Sequence, residues 1–170
     1  MRRKLLLCLI ALFLFSLPAL AEGESKNLLV NGDFTQVENG LPVGWSTYAY
    51  FSDPGITHFS CENGVAQIYN LDFNDARFCQ TVSVEPGAYY QITCRVKAEA
   101  FALEGEGANI SIDNTFTKSN TVRETDGEWV TLTLTGQAGP DQTEATVLLR
   151  VGFYGAESRV RAWFDSAQMV

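Results

Sequence analysis

The residues able to do chemistry are unevenly spread along this sequence. His58 is the only histidine, so a Ser-His-Asp set has a single imidazole to build on, flanked by phenylalanine and tyrosine-rich segments. Acidic residues are plentiful, 20 Asp and Glu in all, and two of them could in principle act as a glycosidase pair. No two are singled out by spacing, and the reading is that they solvate turns. Cys61, Cys79 and Cys94 lack the C-x-x-C spacing of a zinc or redox site. Two readings stand for them: buried thiols acting as small hydrophobes, or one bridge, Cys61 to Cys79, whose intervening segment holds a hairpin-like turn. Cys94 shares parity with Tyr90, Ile92 and Val96 and reads as core.

Another chemistry is better represented. Planar amides and guanidinia alternate with apolar residues along several short runs. Tyr89, Gln91, Thr93 and Arg95 oppose Tyr90, Ile92, Cys94 and Val96. Asn109, Ser111 and Asp113 oppose Ile110 and Ile112. Thr146, Leu148 and Arg150 oppose Val147, Leu149 and Val151. Such groups suit hydroxyl-rich ligands, because each offers several donors or acceptors in a fixed plane. Aromatic rings could supply flat platforms: Tyr48, Tyr50 and Phe51 lie within four residues, and Tyr69, Phe73 and Tyr154 sit at strand ends or in loops.

These side chains need elements to hold them, and the pattern is that of strands throughout. No stretch beyond residue 21 has a sustained 3.6-residue apolar period, whereas period-two alternation recurs. Strands are predicted over 64–70, 77–84, 88–99, 108–114, 128–136, 144–154 and 158–170. "SDPG", "EPG", "TDG" and "AGPDQT" separate them with turn chemistry. Eight or nine strands at this spacing predict one all-β sandwich. The opening "NLLVNGDFTQVENGLPVGW" reads as its end plug: Asn31-Gly32 turns the chain, Phe34 and Trp45 fill the end, and Gly44 lets the backbone pass.

The first residues read differently. "MRRK", a long apolar run and "ALA" at 19–21 have the order of a secretory signal peptide, with an uncleaved anchor as the alternative. Domains are therefore expected at 1–21 (signal peptide) and 22–170 (a single sandwich), and the protein at the cell surface or secreted. Losing Arg2, Arg3 and Lys4 removes three positive charges and takes the formal charge from −8 to −11. So acidic an exterior argues against nucleic acid or an anionic membrane as partner.

In order, "NLLVNGDF", "LPVGW", "CQTVSVEPGAYYQITCRVKA", "GEWVTLTLTG" and "AWFDSAQMV" resemble the carbohydrate-binding modules of families four, nine and twenty-two. These are galactose-binding-like jelly rolls, and the likeness spans Asn27 to Val170. The resemblance implies a jelly-roll β-sandwich that binds a poly- or oligosaccharide without catalysis, as an accessory module of a glycoside hydrolase system would. It places a sugar groove at Gln80, Asn109, Thr146 and Arg150. Strand parity adds Arg95 to the same face, and Tyr50 and Tyr154 are the expected platforms. The resemblance further implies a structural calcium ion held by Asp33 or Thr35, the backbone at Gly64, and Asp165. Thr35 stands where many relatives have an acid, which weakens that ligand set. The competing reading is an exported adhesion or structural domain that uses the same sandwich for protein contacts.

Overall fold

The structure, a computed structural model, describes residues 26–170; the expected signal peptide lies outside the described residues. Eleven strands are formed: β1 Val37–Glu38, β2 Leu41–Pro42, β3 Ser46–Ala49, β4 Thr57–Glu62, β5 Val65–Asn70, β6 Ala76–Ser83, β7 Tyr89–Ala100, β8 Ala108–Ile112, β9 Val130–Gln137, β10 Glu144–Val151 and β11 Val160–Met169. Apart from the small β1–β2 hairpin, they make two antiparallel sheets. One has the order β3-β6-β10-β8 and the other β4-β5-β11-β7-β9. Among the described residues there is no helix, and the architecture is the all-β sandwich expected from the alternation.

Alternation decides which side of each strand faces in. Phe78, Ile110, Val147, Leu149 and Val151 from one sheet meet Ile68, Cys94, Val96, Ala162 and Phe164 from the other, all buried. Two hairpins close on Asn-Gly pairs with both residues at positive φ, Asn39-Gly40 and Asn63-Gly64. That is the two-residue turn whose twist matches the flanking strands.

The opening segment is an irregular plug and not a strand. Asn31, at φ 51°, donates through Nδ2 to the carbonyls of Gln36 and Val43, both at 2.9 Å, and accepts from the Gln36 amide at 3.0 Å. Phe34 is fully buried and lies 5.6 Å from the Trp45 ring. The segment is stitched to β11 by Leu28 N to Met169 O at 2.9 Å and Ala167 N to Gly32 O at 2.7 Å. A Cβ on Gly32 would fall 2.0 Å from the Ala167 carbonyl oxygen, so this approach admits only glycine.

The bridge expected between Cys61 and Cys79 does not form. Cys61 points into the core from β4, whereas Cys79 faces outward from β6 in the other sheet, and all three thiols of the described residues are free. Burial pushes each of them above its ordinary pKa, most strongly Cys94 at the centre of the core.

One buried amide ties the sheets together at the end where β5 finishes. Asn70 Nδ2 donates to the carbonyls of Asn74 and Ser158, both at 3.0 Å, and its Oδ1 accepts from Thr57 Oγ1 at 2.8 Å. Asn70→Ala leaves these buried partners unmatched, which costs about 2 kcal/mol. We expect the melting temperature to fall by roughly 4–8 °C in a calorimetric scan, with the far-ultraviolet dichroism of the native state unchanged.

Candidate functional site

The outer face of the four-stranded sheet carries its polar residues in rows set by strand register. One row runs Tyr48, Arg77, Arg150, Asn109 across β3, β6, β10 and β8. The next runs Ser46, Cys79, Leu148, Ser111. Beyond them Thr81 and Thr146 stand opposite each other with their hydroxyls 2.8 Å apart.

The first row is built around Asp75. Arg150 is completely buried, and its Nε donates to Asp75 Oδ1 at 2.6 Å while Nη2 donates to Oδ2. Burial acts to lower the Arg150 pKa, but the Asp75 carboxylate, and after it Tyr154, hold it above the ordinary arginine value. Gly152 makes the approach feasible: at φ 101°, a Cβ there would lie 2.7 Å from the Asn74 carbonyl oxygen and 2.9 Å from Asp75 Cα. The Asp75 carbonyl accepts from the Tyr50 amide at 2.9 Å, and Asn74 exchanges two hydrogen bonds with Phe51. The Tyr50–Phe51 loop is thereby anchored at the same end of the sheet.

Aromatic rings flank this row. On the β3 side, Tyr48 lies over the Arg77 guanidinium, 4.3 Å from its centroid, and Tyr50 and Phe51 pack edge to face at 4.8 Å. On the β10 side, Tyr154 covers the Arg150 guanidinium at 4.2 Å, with Phe116 and Phe153 against it at 5.4 and 5.0 Å. Tyr48, Tyr50, Phe51, Tyr154 and Phe116 are all exposed, Phe116 the most at 83%. The arrangement is a polar floor between two aromatic walls. It can hold a hydroxylated ligand by hydrogen bonds from below and ring faces from the sides.

Several expected residues are placed elsewhere. Arg95 does not share a face with Asn109 and Arg150: it lies on β7 in the other sheet, ion-paired to Asp165 at 2.9 Å. Gln80 has the inward parity of Phe78 and Val82. It is buried, with its amide bonded to the backbone of Val30 and Gly44, so it holds the plug in place and offers a ligand nothing. Arg150 and Asn109 belong to the face but lie beneath it, both wholly buried. Thr146, Tyr50 and Tyr154 stand where a ligand could touch them. Sequence reasoning passed over Asp75, Arg77 and Phe116. The alternation of "ARFCQTVS" carried the signal for Arg77, which shares parity with Cys79 and Thr81.

The opposite face is also aromatic, with Tyr89 exposed on β7, but its two tryptophans are engaged within the chain. Lys97 Nζ sits 4.6 Å from Trp163 and 5.5 Å from Trp129, while Arg161 and Arg95 each reach one of the same rings. Each tryptophan there has two cations of its own chain over it, whereas Tyr48 and Tyr154 have one each. The cluster of exposed tyrosines beside a polar row is on the four-stranded side. His58 lies on the outer side of β4, paired in register with Tyr69.

The residues expected to hold calcium do not fit it as they stand. Asp165 spends one oxygen on Arg95 and the other on the Ser166 hydroxyl at 2.9 Å. Asp33 accepts from Thr35, and Gly64 approaches the Asp33 carbonyl. A cation would have to displace a guanidinium from Asp165. Among the described residues no three His, Cys, Asp or Glu side chains cluster as metal ligands.

With this geometry in view, the comparisons are informative about fold. No family model and no curated protein matches the chain. Solved structures do. The chain is similar to a CBM4 carbohydrate-binding module at 21% identity and TM-score 0.58, covering 82% of this chain and 97% of that one. It is similar to TmCBM61 in complex with β-1,4-galactotriose at 13% identity and TM-score 0.56, over 86% and 99% of the two chains. It also superposes on the enzymatically active domain of tailspike protein 4 of bacteriophage CBA120 at 15% identity and TM-score 0.59. That match covers 84% of this chain but 21% of the tailspike. The fold is the jelly-roll β-sandwich that these structures share. In this jelly roll, the Arg150–Asp75 pair is part of the frame of the face and not an exposed contact.

Two outcomes follow for the jelly roll as built here. Arg150→Ala strands a buried carboxylate and should cost about 3–5 kcal/mol, read as a lowered denaturant midpoint and not as a binding defect in an intact fold. Calcium at millimolar concentration should leave the melting temperature where chelator leaves it, because a ligand that binds neither state shifts nothing; a calcium-dependent rise that Asp165→Ala abolishes would contradict this.

Proposed function

We propose that this chain is an exported, non-catalytic carbohydrate-binding module that takes a poly- or oligosaccharide on the outer face of its four-stranded sheet. One observation carries the reading: Arg77 stands between exposed tyrosines, Tyr48 and Tyr50 on one side and Tyr154 on the other, with the Thr81–Thr146 hydroxyl pair two register rows along the same face. Sugars present C–H faces to rings and hydroxyls to planar polar groups, and this face offers both. The fold it shares with a CBM4 module and with TmCBM61, which holds β-1,4-galactotriose, supports the same reading. The acidic sequence, −8 overall, is compatible with a neutral polymer and opposes a polyanionic one. The basic start, apolar run and "ALA" of residues 1–21 support export.

Affinity electrophoresis through gels containing β-galactan, xylan, mixed-linkage glucan or laminarin tests the proposal. At least one polymer should retard the protein. Tyr154→Ala and Tyr48→Ala should each lose on the order of 1–2 kcal/mol of affinity, a several-fold rise in the dissociation constant. Trp163→Ala, on the opposite sheet, should leave retardation unchanged. Equal retardation of all variants would remove the site from this face.

A further inference from the structure

The first row of the candidate face is short of one acceptor. It holds two guanidinia, Arg77 and Arg150, and one carboxylate, Asp75, whose two oxygens are both taken by Arg150. The nearest approach of Arg77 to that carboxylate is 3.8 Å, from Nη1 to Oδ2, too long for a hydrogen bond. Among the described residues Arg77 makes no hydrogen bond to an oxygen, and its near polar side-chain partner is the Cys79 thiol beside it on β6. Its side chain is 14% exposed, and Tyr48 lies over the guanidinium. Beside it, Arg150 Nη1 and Ser111 Oγ are buried without partners. Asp113, which lies within electrostatic reach of Cys79 on this face, accepts from Asn114 Nδ2 at 3.2 Å and pairs with neither arginine.

A guanidinium under a ring, partly desolvated and sharing a carboxylate that is already hydrogen-bonded to another arginine, is matched by a planar acceptor that takes two parallel N–H bonds. Such a charge-assisted pair is stronger in a shielded site than in water. The first row taken alone holds two guanidinia and one carboxylate, with Asp113 farther along the face, and this local balance stands against the acidic character of the whole chain. The Debye length is about 8 Å at physiological ionic strength, so a short ligand senses Arg77 more than the distant acids. A long polyanion would meet those acids.

Resting on the carbohydrate reading above, we propose that the ligand carries a carboxylate on one of its sugar units and that Arg77 receives it. The recognised unit is an acidic sugar within or at the end of an otherwise neutral glycan: a uronic acid, or a terminal sialic acid with the same carboxylate chemistry. Tyr48 and Tyr154 stack on the sugar units to either side. Arg150 does not touch the ligand; it occupies Asp75 and so keeps Arg77 free.

Isothermal titration with trigalacturonate and with its fully methyl-esterified form isolates the carboxylate, since backbone and hydroxyls are the same. A sialyl-lactose and lactose pair distinguishes the second source, and a sulfated disaccharide tests the anion's shape. The free acid of one pair should bind at least tenfold tighter than its neutral counterpart at low salt, and the ratio should shrink as salt rises. Arg77→Gln should abolish the ratio, while Arg77→Lys, which keeps the charge and loses the fork, should retain a reduced one. Thermal melts of both variants check that the fold persists, and Arg77→Lys provides the test should Arg77→Gln not fold. Equal binding of acid and neutral forms by the wild type would overturn the inference and leave the carbohydrate reading standing. Preference for the sulfated sugar over both carboxylates would also overturn it. If no glycan, acidic or neutral, binds and the gels retard nothing, the carbohydrate reading fails and the inference fails with it.

Discussion

The candidate face depends on a buried charge pair. Taking Arg150 out of water is costly, and the cost is met only if its partner is fixed in bidentate geometry and the surroundings exclude solvent. Asp75 supplies the geometry, and Phe153 and Tyr154 cover the guanidinium at 4.7 and 4.2 Å. The same requirement fixes neighbours that carry no charge. Gly152 must lack a side chain so that the 74–75 backbone can pass, and the Tyr50 amide bonds to the Asp75 carbonyl. Removing the charge pair would therefore disturb both aromatic walls at once.

The pair also divides labour between the two arginines. They stand opposite each other in register on β6 and β10, and from sequence they look equivalent. The structure makes one a frame element with no exposure and leaves the other partly exposed, without a carboxylate bonded to its fork. A similar division separates the two sheets. On the five-stranded side, cations and rings satisfy each other across Arg161, Trp163, Lys97 and Trp129. On the four-stranded side, Tyr48, Tyr50 and Tyr154 remain exposed.

Seven strands were legible in the alternation, and β5 to β11 begin and end within a few residues of the expected spans. The first four were not. β1 and β2 are two residues each, β3 is short and mostly exposed, and β4 alternates Thr57, Phe59 and Cys61 with His58, Ser60 and Glu62, a pattern the sequence reading passed over. The Asn-Gly pairs at 39–40 and 63–64 were the available cue. For the site, parity identified which residues share a side of one strand, so Asn109, Thr146 and Arg150 belong together as read. Parity cannot say which strands share a sheet, and Arg95 went to the other one. Nor can it say which outward residue is later covered, so Arg150 read as a contact when it is buried. Gln80 was placed by resemblance against the parity of Phe78 and Val82, and there parity was the better guide.

β11 occupies the middle of its sheet, between β5 and β7, and also anchors the plug through Leu28 and Gly32. A strand so late in the sequence and so central in space gives folding a timetable. The contacts that close the sandwich join residues separated by most of the described chain, and loop-closure entropy makes such pairings slow. Until Val160–Met169 is available, β5 and β7 each lack a neighbour and the plug has nothing to dock on. A nascent sandwich of this kind stays open until β11 has emerged and then closes in one cooperative step, with its strand edges exposed in the meantime.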